Sequence, residues 1–177
     1  MRYYLYIPLP EPLEGQVSKI GAGFQGDFHS RPHITILSPR ELREDISVGN
    51  VEKELVYSLE KSLADQKPFT VEYEGIDYFE DYSTIYIPVV RSSLLVRAHE
   101  LVSLASKEYL VSNNGPFDNM PTPHISLASR LSLSEGRIAW EELKDSDFSG
   151  QFRCDRVVLM RRKVSGDSWE EAKSIKL

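Results

Sequence analysis

The chain carries two copies of one short motif, and this pair restricts its fold more than any other feature does. Residues 32–37 read PHITIL and residues 123–128 read PHISLA, about half the chain length apart. Side chains on an extended strand alternate between its two faces, so His33 shares a face with Thr35, and His124 shares a face with Ser126. Each copy therefore predicts a strand with one polar and one apolar face. Two such strands facing each other would gather two histidines and two hydroxyls around one small anion.

The segments beside the motifs repeat as well. Aromatic and β-branched residues favour strands at 3–9 and 84–90, and both segments contain the tripeptide Tyr-Ile-Pro. Apolar residues at helical spacing predict a helix before each histidine strand, weakly at 12–22 and clearly at 93–110. The order of strand, helix and histidine strand thus occurs twice, which is an internal repeat.

A second helix and a further strand are expected after each histidine strand. In the first half the pattern predicts a helix at 50–65 and a strand at 69–76, with residues 75–83 as a turn between paired strands. The second half has a helix after Ser134 and one long strand at 152–162. The halves therefore match element by element.

Composition limits the classes of protein and partner that fit. No low-complexity stretch or break in composition occurs, so we predict a single domain over residues 1–177, made of two pseudo-repeat lobes. The net charge of −6 disfavours long nucleic acid but permits a small phosphate ligand, which needs only a few local cations. The single cysteine, Cys154, excludes an internal disulfide, and we expect it to be buried. No segment resembles a signal peptide or a membrane span, so a soluble, cytoplasmic protein is expected.

Three other patterns suggest sites that their context does not support. Residues 21–26 read GAGFQG, but a helix precedes these glycines and a strand follows them, which inverts the context of a dinucleotide-binding loop. His29 and His33 are four residues apart, yet Pro32 disfavours a shared helix and no acidic cluster accompanies them, so no metal site is expected. His99 lies at the edge of an apolar helical stripe, where we expect a surface or boundary role.

The paired motifs resemble those of the 2H phosphoesterases, which include 2′,3′-cyclic nucleotide phosphodiesterases and bacterial 2′-5′ RNA ligase-like proteins. The matching residues are His33 with Thr35 and His124 with Ser126, each histidine preceded by proline. The resemblance implies an α+β, bilobal duplicated fold, with two antiparallel sheets, flanking helices and a central cleft related by a pseudo-two-fold. It also implies that the histidine strands line this cleft and that no metal or cofactor is needed.

The resemblance implies roles for the four motif residues. His33 and His124 would serve as catalytic general acid and base, because imidazole titrates near neutral pH, and the pseudo-symmetry leaves their order open. Thr35 and Ser126 would bind the substrate phosphate by donating hydrogen bonds to its non-bridging oxygens.

Three residues near the motifs are candidate substrate contacts. Arg130 follows the second motif, but Ser129 displaces it by one position from the arginine of the most similar bacterial members, and such a shift reverses the strand face. Phe28 and Phe117 precede the two motifs, and either could stack on a base or serve as a core anchor.

The leading hypothesis is therefore a metal-independent phosphoesterase. It would hydrolyse a ribose 2′,3′-cyclic phosphate, or a 2′-5′ phosphodiester, in nucleotides or RNA ends, and the reverse reaction would join ends with the same groups. The expected partner is a nucleotide or RNA-end substrate, with no membrane and the protein as a monomer. Two alternatives stay open: a nucleotide or RNA-end binding module that uses the same cleft without catalysis, and an interaction or structural domain in which the motifs only pack.

Overall fold

A computed structural model describes residues 1–24, 31–43, 48–111, 120, 122–163 and 168–177. Within these residues the chain forms four helices and nine strands. In chain order they are β1 (Arg2–Pro8), α1 (Leu13–Phe24), β2 (His33–Glu41), α2 (Val48–Leu63), β3 (Phe69–Glu74), β4 (Asp77–Tyr78), β5 (Thr84–Pro88), α3 (Ser93–Ser106), β6 (His124–Ser129), α4 (Leu133–Leu143), β7 (Ser149–Cys154), β8 (Arg156–Arg162) and β9 (Glu170–Lys176).

The strands form two antiparallel sheets. The large sheet has the order β4-β5-β6-β2-β1-β8-β9, and the small sheet pairs β3 with β7. The predicted α+β class with antiparallel sheets is confirmed. The sheets do not divide one to each half of the chain, because the large sheet holds strands from both halves and the small sheet takes one strand from each. The two histidine strands, β2 and β6, meet in the middle of the large sheet.

The internal repeat extends to the pairing register. In the first half Tyr6 pairs with Thr35 and Pro8 with His33, where β1 runs beside β2. The second half repeats this between β5 and β6, with Tyr86 opposite Ser126 and Pro88 opposite His124. Helix α1 packs against β6, and helix α3 packs against β2, so each half covers the histidine strand of the other half. The repeated order of elements is therefore confirmed.

The apolar faces of the strands and helices form one core. Fully buried isoleucines come from the four central strands: Ile7, Ile34, Ile36, Ile85, Ile87 and Ile125. A capping box fixes the start of α4, since the Ser132 hydroxyl accepts from the Glu135 N–H and the Glu135 carboxylate accepts from the Ser132 N–H. Cys154 is buried as expected. His99 is not at the surface but only 4% exposed.

Two sequence-based expectations about strands are wrong in detail, and one strand was missed. The long strand predicted at 152–162 is two strands, β7 and β8, which separate at Asp155 and enter different sheets. Strand β3 pairs with β7 and not with β5, so residues 75–83 do not simply join two paired strands; they include β4, which pairs with β5. Strand β9, rich in charged residues, was not predicted. Residues 21–24 of the glycine pattern lie at the end of α1, and residues 25–30 lie outside the described residues.

Candidate active site

The pairing of β2 with β6 brings the four motif residues together. Ile34 lies opposite Ile125 on the buried face of the sheet. One residue away on each strand, the same register sets His33 beside Ser126 and Thr35 beside His124, on the opposite face. Directly opposed residues of antiparallel strands have Cα atoms about 4.5–5.5 Å apart. The two imidazoles and two hydroxyls therefore share a small area of one sheet face, where all four residues are half-buried.

Each imidazole is held by the same hydrogen bond. The Nδ1–H of His33 donates to the carbonyl oxygen of Arg31 at 2.7 Å, and that of His124 donates to the carbonyl oxygen of Thr122 at 2.8 Å. Because a carbonyl oxygen only accepts, Nδ1 carries the proton in the neutral ring, and Nε2 remains to accept a proton. The proline between donor and acceptor has a restricted φ, which stiffens both loops. The local sequence thus sets the tautomer and orientation of each ring.

Aromatic rings pack against both histidines. The Tyr6 ring lies 5.0 Å from the His33 ring, and the Tyr86 ring lies 5.3 Å from the His124 ring, between centroids. A second ring completes each group, with Tyr4 at 5.6 Å from His33 and Phe79 at 5.2 Å from His124. None of these aromatics was predicted from the sequence to belong to the site. The repeated Tyr-Ile-Pro tripeptide could have indicated two of them, because it contains both Tyr6 and Tyr86.

Burial sets the electrostatics of the pair. Desolvation lowers the pKa of His33 below its ordinary value of 6.5, and the positive charge of a protonated His124 lowers it further, against the hydrogen bond to Arg31, which raises it. Desolvation likewise lowers the pKa of His124. Both rings are therefore mainly neutral near pH 7, and protonation of one disfavours protonation of the other.

The family model of the 2′-5′ RNA ligase superfamily matches residues 9–166, which include both motifs. The chain belongs to this superfamily. The resemblance to the 2H phosphoesterases is thereby confirmed. Membership places the chain among phosphoesterase and RNA ligase-like enzymes.

Solved structures share the fold over the whole chain. TT0787 of Thermus thermophilus has a TM-score of 0.69 at 16% identity, covering 100% of this chain and 98% of that protein. E. coli LigT complexed with 3′-AMP has a TM-score of 0.63 at 19% identity, with coverage of 99% and 97%. Usb1 of Kluyveromyces marxianus has a TM-score of 0.52 at 14% identity, with coverage of 99% and 98%. No curated protein sequence matches the chain.

Of the three other predicted substrate contacts of this superfamily member, the structure describes Arg130. Arg130 is exposed and follows the last residue of β6 with a left-handed φ of 61°. Because it lies beyond the strand, the alternation of strand faces does not determine where its side chain points. Phe28 and Phe117 lie outside the described residues. Among the described residues, neither the Thr35 nor the Ser126 hydroxyl has a side-chain hydrogen-bond partner, so both can donate to a ligand.

No group of three or more histidine, cysteine, aspartate or glutamate side chains in the described parts of the chain is arranged to hold a metal ion. In the same residues, no helix is both long and apolar enough to cross a bilayer.

Proposed function

We propose that this superfamily member hydrolyses a ribose 2′,3′-cyclic phosphate, or a 2′-5′ phosphodiester, in nucleotides or RNA ends without a metal ion. The observation that supports the proposal is the antiparallel register of β2 and β6, which sets one imidazole and one hydroxyl of each motif beside those of the other. Such a group matches the needs of phosphodiester hydrolysis, which are a base for water, an acid for the leaving oxygen and donors for the phosphate oxygens.

The reaction uses the two imidazoles in complementary protonation states. The Nε2 of one neutral histidine takes a proton from water while the water oxygen forms a bond to phosphorus. The bond between phosphorus and the ribose oxygen breaks, and the other histidine, protonated, gives its Nε2 proton to that oxygen. Although burial lowers both pKa values in the free protein, the negative charge of the bound phosphodiester favours the protonated form of one ring.

The hydroxyls hold the phosphate during this exchange. Thr35 and Ser126 donate to the two non-bridging oxygens, which places phosphorus between the rings and stabilises its charge in the transition state. Because the two halves are nearly equivalent, the geometry permits either histidine to be the base. The same groups, working in reverse, would join a 2′-hydroxyl end to a cyclic phosphate.

A nucleotide substrate is supported by the comparisons. E. coli LigT has been solved in complexes with 3′-AMP, NADP⁺, ATP and phosphate. A shared fold with a nucleotide-binding protein, together with aromatic rings beside both histidines, favours a ligand that carries both a phosphate and a base.

The test is turnover of nucleoside 2′,3′-cyclic phosphates and 2′-5′ dinucleotides with a chelator present. We expect His33→Ala and His124→Ala each to lower kcat by about 10²–10⁴-fold, the usual contribution of a general acid or base. Circular dichroism checks that both variants fold. Wild-type rates in either variant would overturn the two-histidine mechanism, and loss of turnover with chelator would overturn its independence of metal.

The hydroxyls are tested with a matched pair on one strand. Ser126→Ala should lower kcat by about 10²–10³-fold, as loss of a transition-state donor does. Ser129→Ala, at the end of the same strand, should leave kcat unchanged. Saturable binding of a 2′-phosphonucleotide with no conversion of any cyclic substrate would instead favour a binding module.

A further inference from the structure

A second aromatic and cationic surface lies beside His33 on the same face of the large sheet. We call it the Trp169 surface. Its members come from β1, β8 and the residue before β9, and they are Tyr4, Tyr6, Val158, Met160, Arg162 and Trp169. The floor is formed by side chains less than a tenth exposed, while Met160, Arg162 and Trp169 remain half-buried at the surface. The register explains this grouping, since Tyr4 pairs with Met160 and Tyr6 with Val158.

Short contacts connect this surface to the histidine. The Tyr4 ring lies 5.6 Å from the His33 ring and 4.5 Å from the Trp169 ring, which meets it edge-on. The Arg162 guanidinium lies 4.5 Å from the centre of the Trp169 ring. Together these contacts put the guanidinium no more than about 15 Å from the imidazole. If the phosphate of one nucleotide lies between the histidines, the adjoining nucleotide can reach from the imidazole to the guanidinium.

Arg162 contacts an aromatic ring and no carboxylate in the part of the chain that the structure describes. Within the described residues it has no carboxylate partner, and its Nε is buried without a hydrogen bond. The preceding residue, Arg161, is fully engaged, with Glu52 at 2.6 Å and Glu170 at 2.8 Å. A guanidinium that is stacked on an aromatic ring, with no carboxylate partner among the described residues, is suited to bind phosphate.

The Trp169 surface also breaks the symmetry of the site. The catalytic groups are nearly equivalent in the two halves, so they do not by themselves orient a substrate. Beyond His124 the sheet ends at the two-residue strand β4, whereas beyond His33 it continues through β1, β8 and β9. Tyr4 and Tyr6 have counterparts beside His124 in Phe79 and Tyr86. Among the described residues, Trp169 and Arg162 extend the site from His33 outward.

We propose that the Trp169 surface binds the nucleotide adjoining the one that carries the reacting phosphate, with its base on the aromatic side chains and its phosphate on Arg162. This rests on the proposed function and narrows the substrate to an RNA end of two or more nucleotides. Base stacking on protein aromatics is tolerant of sequence, so the surface selects for length and not for a particular base.

The decisive measurement is the ratio of kcat/KM for a trinucleotide with a 2′,3′-cyclic end to that for a nucleoside 2′,3′-cyclic phosphate. We expect the wild-type ratio to be well above one. Trp169→Ala and Arg162→Gln should each lower it about ten-fold, the loss expected for one stacked base, mainly through KM. Trp169→Phe should restore most of it. The matched control is Arg161→Gln, which removes the neighbouring guanidinium from the opposite face and should not change the ratio.

Other outcomes separate the inference from the proposed function. A wild-type ratio near one would contradict the proposed role of the Trp169 surface without affecting the proposed phosphoesterase activity. Variants that lower kcat/KM equally for both substrates would do the same. If neither substrate is turned over, the proposed function fails, and the surface is tested by binding alone. A trinucleotide 3′-phosphate should then bind about ten-fold more tightly than a nucleoside 3′-phosphate, and equal affinities would overturn it.

Discussion

The buried side chain of His99 predicts a measurable link between helix α3 and the histidine strand β2. Strand β2 has a β-bulge at Ile36, because Thr35 pairs with Tyr6 whereas Leu37 pairs with Leu5 on β1. The His99 Nδ1–H donates to the Ile36 carbonyl oxygen at 2.8 Å. The residue next to Thr35 is therefore anchored by a donor from the other half of the chain.

Replacement of His99 by leucine keeps the volume but removes this donor. A buried carbonyl left unpaired costs about 1–3 kcal/mol. For a domain of this size each kcal/mol lowers the melting temperature by about 2–4 °C, so we expect His99→Leu to melt about 2–12 °C below wild type. His99→Asn places an amide N–H near the position of Nδ1 and should recover part of this loss. We expect kcat of the leucine variant to fall as well, because Ile36, the residue next to Thr35, loses its hydrogen bond to His99.

The assay is thermal and urea unfolding followed by circular dichroism, with turnover of a cyclic substrate measured in parallel. Leu104→Ser on the same helix is the control, since Leu104 is 67% exposed and its replacement should leave stability unchanged. A leucine variant as stable as wild type, or an asparagine variant no better than leucine, would refute the reasoning.

Three further predictions concern other buried groups. Because burial lowers the pKa of His33 and His124 below 6.5, their neutral rings favour the folded state above that pH, and this contribution is lost as the pH falls below it. Urea titrations at about pH 7 and 5 should show wild type losing more free energy of unfolding than His33→Gln, and equal losses would contradict this. A Cβ on Gly136 would lie 2.1 Å from the Tyr82 carbonyl oxygen, so Gly136→Ala should sharply lower the melting temperature. Gly23→Ala should not lower it, because a Cβ on Gly23 would have nothing within 4 Å. Similar melting curves for the two variants would contradict this packing. Burial raises the pKa of the Cys154 thiol to about 12, so a thiol reagent should label it only after unfolding, and rapid labelling of native protein would show the thiol to be accessible.

The site shows how far a sequence pattern can be taken. Alternation along residues 32–37 and 123–128 correctly separated the polar from the apolar face, because side-chain direction on a strand is a local property. The repeat correctly predicted that a strand and a helix precede each histidine strand. The aromatic rings beside the histidines come mainly from β1 and β5, and only the pairing register shows which of their residues face the imidazoles.

Other features had no local signal. The break at Asp155 separates strands β7 and β8, whose side chains alternate in a similar way. Neither strand's sequence pattern predicts that the two enter different sheets. His99 resembles a boundary residue on its helix, and its burial depends on a bulge more than sixty positions away in the chain. The charged strand β9 lacks the apolar alternation that identifies strands in a sequence. Its extended structure depends on pairing with β8.

By itself, the amino-acid sequence determined most of the elements, their repeated order, the family and the four polar residues of the candidate site. These follow from periodicity and local motif, which depend on neighbours a few positions apart. Only the tertiary structure decided that β2 and β6 pair with each other, that β3 joins β7, and that Trp169 and Arg162 lie on the same face as His33. Such contacts depend on long-range strand pairing and packing. Because the residues involved are far apart in the sequence, no local pattern predicts that they meet.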